Sequence, residues 1–93
     1  SLTNALAVEW APDGILVNSV SPGPIAGTVG VDKLYIETGQ EELMTSRVAL
    51  RRFGCVEDIA GAVAFLCSPA GDYVTGAELV ADGGRQWTFA SAS

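Results

Sequence analysis

The chain has 93 residues, 48% apolar and 17% charged, with a net charge of −6. That length holds one small domain at most, the composition is that of a folded chain, and the acidic balance argues against a nucleic-acid partner, whose phosphates need a basic face. With no histidine and two cysteines a Cys/His metal site is excluded, and no apolar run is long enough to span a membrane.

Leu2, Leu6 and Trp10 recur every fourth position around Ala5 and Ala7, which predicts a helix over about 1–11, stopped by Pro12 and Gly14. ILVNSV, residues 15–20, follows without polar alternation, the pattern of a parallel strand covered on both faces. The chain then breaks into SPGPIAGT. Beyond it a polar stretch over 31–52 predicts two short helices parted by Gly39. VEDIAGAVAFLC, residues 56–67, predicts a longer helix, with Glu57 and Asp58 in the first turn where the dipole favours anions, and with Pro69 and Gly71 as its stop. A second strand is expected over about 78–82, ahead of Gly83 and Gly84. Cys55 and Cys67 lie at the two ends of the long helix, about 18 Å apart at about 1.5 Å per residue, too far for a disulfide. Reduced thiols fit an intracellular compartment.

Helix, strand, excursion, helix and strand in that order is the alternation of an α/β fold with a parallel sheet. Two parallel strands cannot cover their own faces and edges, and the sequence opens inside a helical pattern at Ser1. The expectation is the C-terminal part of a doubly wound sheet with flanking helices, its N-terminal half lying before this chain.

In open α/β sheets ligands bind beyond the carboxyl ends of the strands, where residues 22–28 fall. Pro22 and Pro24 stiffen the loop, and Gly23 and Gly27 admit close backbone approach. Thr28 offers a hydroxyl and, with the following amides, a place for a phosphate. A tight strand-to-helix turn without ligand accounts for the same residue types. Gly23, Gly27 and Gly30 do not have dinucleotide-fingerprint spacing.

LAVEWAPDGILVNSVSPGPI, EDIAGAVAFLCSP and YVTGAELVADGG resemble, in order and spacing, the C-terminal portion of the short-chain dehydrogenase/reductase family, up to Gly84. The resemblance implies that residues 1–93 are the C-terminal segment of a single Rossmann-type NAD(P)-binding domain, with 31–52 as its substrate flap. It implies that Pro22, Gly23, Pro24, Ile25, Ala26, Gly27 and Thr28 close over the nicotinamide. A backbone group near Ile25 would meet the carboxamide and Thr28 the diphosphate. Many members have three residues between Pro-Gly and the threonine; here there are four. That longer form, PGPIAGTVG, is similar to peroxisomal 2,4-dienoyl-CoA reductases, in which a basic residue five positions beyond the threonine meets coenzyme A. Lys33 holds that position; a solvated surface lysine is its bland alternative.

The same resemblance implies NADP as cofactor, with NAD left open, an acyl-CoA substrate, and a homo-oligomer, typically a tetramer. It implies a peroxisomal location, although TFASAS differs from a Ser-Lys-Leu address, which leaves the cytoplasm as the alternative. The family's Tyr-x-x-x-Lys pair is not matched: Gly39 follows Tyr35 and Ala77 follows Tyr73 at the lysine position, so no catalytic residue is assigned. Leu34, Leu43 and Met44 are candidates for an acyl channel or for packing. Arg47, Arg51 and Arg52 are candidates for CoA phosphates or for surface pairing. Asp82 reads as structural. Two other readings stay open: a different short-chain reductase acting on a 3-oxoacyl, sugar or alcohol substrate, and a truncated, non-catalytic oligomerisation partner.

Overall fold

The computed structural model describes residues 1–88; the C-terminal stretch read for a targeting address falls, beyond Thr88, outside the described residues. Helix α1 (Leu2–Trp10) opens on Ser1, whose hydroxyl accepts the Asn4 amide at 3.3 Å. A 3-10 turn at Ala11–Asp13 extends it, and Gly14, at φ 77°, turns the chain back. The helix is anchored through buried Ala7 on the turn before the second strand. Asn4 Nδ2 donates to the Gly76 carbonyl at 2.7 Å, and a Cβ on Gly76 would stand 3.4 Å from that of Ala7.

Strands β1 (Ser19–Pro22) and β2 (Glu78–Ala81) pair in parallel, Ser19 opposite Glu78 and Pro22 opposite Ala81. The expected strand over 15–20 is therefore corrected: pairing starts at Ser19 and continues to Pro22. Ahead of Ser19 the ladder is replaced by one backbone bond out of register, from the Gly76 amide to the Val17 carbonyl at 2.7 Å, and by side chains. The Val17 amide donates to Thr75 Oγ1 at 3.0 Å, while the Asn18 side chain bonds the Val74 carbonyl and the Ala77 amide, each at 3.0 Å. Pro22 ends the strand without loss, because the Gly23 amide makes the last bond, to the Ala81 carbonyl at 3.1 Å.

Between the strands, α2 (Val29–Val31) runs into a π turn at Asp32–Ile36, and α3 (Glu41–Ser46) follows after Gly39, whose φ of 75° breaks the two apart as expected. Helix α4 (Val56–Cys67) occupies the predicted span and packs against both strands. It lacks a proline at its start, yet Asp58 Oδ2 accepts the Cys55 amide at 2.8 Å and closes the first turn. Cys55 and Cys67, at the two ends of α4, are both free and exposed.

The buried apolar residues are Ala7, Ile25, Val31 and Val48, whereas Leu2 and Val8 on α1 and Val63 and Phe65 on α4 are exposed. The radius of gyration is 15.9 Å, against about 12 Å for a compact domain of this length. Both observations describe one end of a larger sheet, with helix faces that need further cover. Among the described residues no helix is long and apolar enough to cross a membrane, and no group of three or more His, Cys, Asp or Glu could hold a metal ion.

Candidate functional site

From the end of β1 the loop Pro22–Thr28 crosses the carboxyl edge of the sheet, and the segment ahead of α4 pins it from the side. Ile25 and Gly54 form a parallel bridge in which the Ala26 amide donates to the Gly54 carbonyl and the Gly54 amide to the Pro24 carbonyl, both at 2.9 Å. Those bonds consume groups of Pro24 and Ala26. By the alternation of a parallel ladder, the amide and carbonyl of Ile25 itself face the opposite side. The Ile25 side chain is buried over Gly54, where a Cβ would come within 2.8 Å of Ile25 Cδ1.

Each glycine of the loop has a distinct reason to be there. A Cβ on Gly23 would meet Asp82 Cα and Cβ at 2.7 Å, so close packing of the two strand ends already demands glycine. Gly27 has open space around it but a φ of 85°, a conformation that side chains resist. Thr28 closes the loop: its hydroxyl donates to the Ile25 carbonyl at 2.8 Å and accepts the Val31 amide at 3.3 Å, capping α2.

An open cleft of about 540 Å³ lies between this loop and the 31–52 segment, with Pro22 to Ile25 and Thr28 on one side. Val31, Leu34, Tyr35 and Met44 face them. The structure thus brings Leu34 and Met44 to the loop, while Leu43 and Lys33 are outside the lining and exposed. Ala26 and Gly27 form the loop's tip, also outside it. Of the arginines, Arg51 bonds the Ser46 carbonyl and Arg52 pairs with Asp58, whereas Arg47 Nε is buried with no partner among the described residues. Sequence reasoning missed Gly54 and Tyr35. A glycine directly ahead of a helix start was the available signal for the first; no local pattern marks the second.

A smaller cavity of about 240 Å³ lies behind the loop, bounded in part by Gly23, Ile25, Gly54, Arg52 and Asp58. Asp58 Oδ2 accepts from Arg52 Nη1 at 3.0 Å, from the Cys55 amide at 2.8 Å and from Cys55 Sγ at 3.3 Å. The Arg52 guanidinium first, and the Cys55 amide after it, lower the Asp58 carboxyl from its ordinary 3.8 to about 2. Because the folded value is depressed, the stabilisation is fully present above about pH 3.8 and is lost as pH falls toward about 2. Protection of the amides at the start of α4, taken relative to their intrinsic exchange rates, should therefore fall across that window in the wild-type protein and stay flat in D58N. Equal acid slopes in the two proteins would show that the contact contributes nothing. Asp82 is structural, with one oxygen accepting the Gly84 amide at 2.9 Å and the other the Gln86 amide at 3.0 Å.

The family model described as enoyl-(acyl carrier protein) reductase matches residues 1–86. A peroxisomal 2,4-dienoyl-CoA reductase of Pongo abelii is 47% identical over 92 residues, covering 96% of this chain and 30% of that protein. A tropinone reductase homologue of Arabidopsis thaliana is 44% identical over 84 residues, covering 89% and 32%. Among solved structures, a protein described as a 2-deoxy-D-gluconate 3-dehydrogenase of Agrobacterium tumefaciens, with bound NADP, superposes with a TM-score of 0.83 at 44% identity. That match covers 92% of this chain and 35% of the other, so the chain spans about a third of the length of the relatives it matches. Parallel strands ending in a pinned Pro-Gly crossing, and a match that runs almost from end to end, place this chain in the short-chain dehydrogenase/reductase family.

Proposed function

We propose that the protein containing this chain is an NADP-dependent reductase of 2,4-dienoyl-CoA thioesters, acting in unsaturated fatty-acid oxidation. One observation carries the cofactor half of this reading. The Pro-Gly crossing is held by Gly54 so that the backbone of Ile25 faces away from the bridge, its carbonyl fixed by the Thr28 hydroxyl and its amide turned outward to donate to a carboxamide oxygen. A loop already pinned has little freedom to lose when a ligand arrives. The coenzyme supplies the hydride. Residues 22–28 hold its nicotinamide end, Thr28 lies toward the diphosphate, Lys33 reaches coenzyme A phosphate, and 31–52 closes as the flap. No proton donor is assigned among the described residues. The acyl half rests on the four-residue spacing to Thr28 and on an apolar cleft wall of Val31, Leu34 and Met44. Peroxisomal location and assembly as a homo-oligomer, a tetramer, belong to the same proposal.

The test is oxidation of NADPH or NADH by the complete protein with a 2,4-dienoyl-CoA and a 3-oxoacyl thioester offered separately, and reduction of NADP+ or NAD+ with a sugar acid. Turnover of the dienoyl thioester with NADPH is expected. Turnover of the sugar acid or the 3-oxoacyl thioester alone would favour a second reading, a different short-chain reductase, to which the sugar-acid name of the solved relative lends weight. Failure to bind either coenzyme would leave only a non-catalytic oligomerisation partner.

A further inference from the structure

Among the described residues Tyr35 is the one aromatic side chain in the cleft wall opposite Ile25, and it belongs to a π turn, Asp32–Ile36, of the kind that often marks functional positions. Two contacts set its place. Its carbonyl accepts the Gln40 amide at 2.7 Å, and its ring meets that of Phe53 with centroids 6.2 Å apart and planes tilted by 33°. Phe53 directly precedes Gly54, the residue that pins Ile25. The ring and the loop on the two sides of the cleft therefore take their positions from the same short segment. The remaining wall, Val31, Leu34 and Met44, offers no hydrogen-bonding side chain, and the Thr28 hydroxyl is already engaged.

We propose that Tyr35 is a specificity-determining residue, its ring forming the wall against which the apolar chain of the substrate lies beside Ile25, in an orientation set by Phe53. This inference rests on the acyl-thioester reading above and extends it to chain-length selection. A chain lying along such a wall gains about fourfold in kcat/KM for each added methylene, the equivalent of about 0.8 kcal/mol, until the wall ends. The phenol itself is not required, because an apolar chain offers its hydroxyl no hydrogen-bond partner.

The experiment measures kcat and KM of the complete protein over a homologous series of 2,4-dienoyl-CoA chain lengths, with NADPH affinity as the control for folding. In Y35A the rise of kcat/KM with chain length should flatten, the loss appearing in KM more than in kcat. Y35F should restore the rise, and F53L should flatten it in part by releasing the ring. A chain-length profile in Y35A parallel to that of the wild type would overturn the proposal while leaving the dienoyl reading intact. Wild-type protein without turnover of any dienoyl-CoA would overturn both, so the two failures are distinguishable.

Discussion

Replacing Gly23 by alanine should lower the stability of the complete protein by about 1–3 kcal/mol, the usual cost of overpacking a closed site. It should also weaken coenzyme binding by about tenfold for each 1.4 kcal/mol of that strain that falls on the loop. The new methyl would sit 2.7 Å from both Cα and Cβ of Asp82, and backbone cannot swing aside as the end of a long side chain can. Relief requires the carboxyl ends of β1 and β2 to part, which breaks the bond from the Gly23 amide to the Ala81 carbonyl. The same movement carries Pro24 and Ile25 off Gly54. Urea unfolding and coenzyme fluorescence titration measure the two effects separately. Wild-type affinity in a destabilised G23A would show that the loop keeps its position independently of the strand ends, against the assignment of residues 22–28.

The second large effect is expected at Gly84. Its φ of 85° costs a side chain about 1–2 kcal/mol, and a Cβ there would lie 2.7 Å from that of Ala49, adding about 1–3 kcal/mol of overpacking. The Gly83–Gly84 turn is where the end of the 31–52 segment docks on the sheet. Val48 is buried there, and the Leu50 amide donates to the Gly83 carbonyl at 3.0 Å. G84A should therefore loosen the 31–52 segment as well as destabilise the fold. Gly27 provides the comparison, having the same φ of 85° but open space around it, so G27A carries the conformational cost alone. The difference between the two unfolding free energies isolates the contact with Ala49, and A49G in the G84A background should recover that share. Equal costs for G84A and G27A would mean that the turn and the 31–52 segment are not packed together.

Much of the architecture could be read locally. Pro12, Gly14 and Pro69 end or redirect helices because of their own backbone chemistry, and the apolar run Val56–Cys67 specifies a helix whatever lies around it. Gly39 parts the two short helices for the same reason. A short strand without polar alternation announces a parallel partner, and β2 supplies it. The stiff crossing after β1 and its threonine were equally visible.

What remained hidden depends on residues far apart in the sequence. The start of β1 moved to Ser19 because Thr75, Val74 and Ala77 claim the groups of Val17 and Asn18. Gly23 proved to be dictated by Asp82, and the outward turn of Ile25 by Gly54. The position of Tyr35 in the cleft wall is held by Phe53. Residue type and spacing thus determined which segments fold as helices and strands and where the chain must bend, since those are properties of neighbouring bonds. Which backbone groups are left to meet a ligand was decided only by tertiary structure, because a hydrogen-bonding group is free or spent according to partners that no local pattern contains.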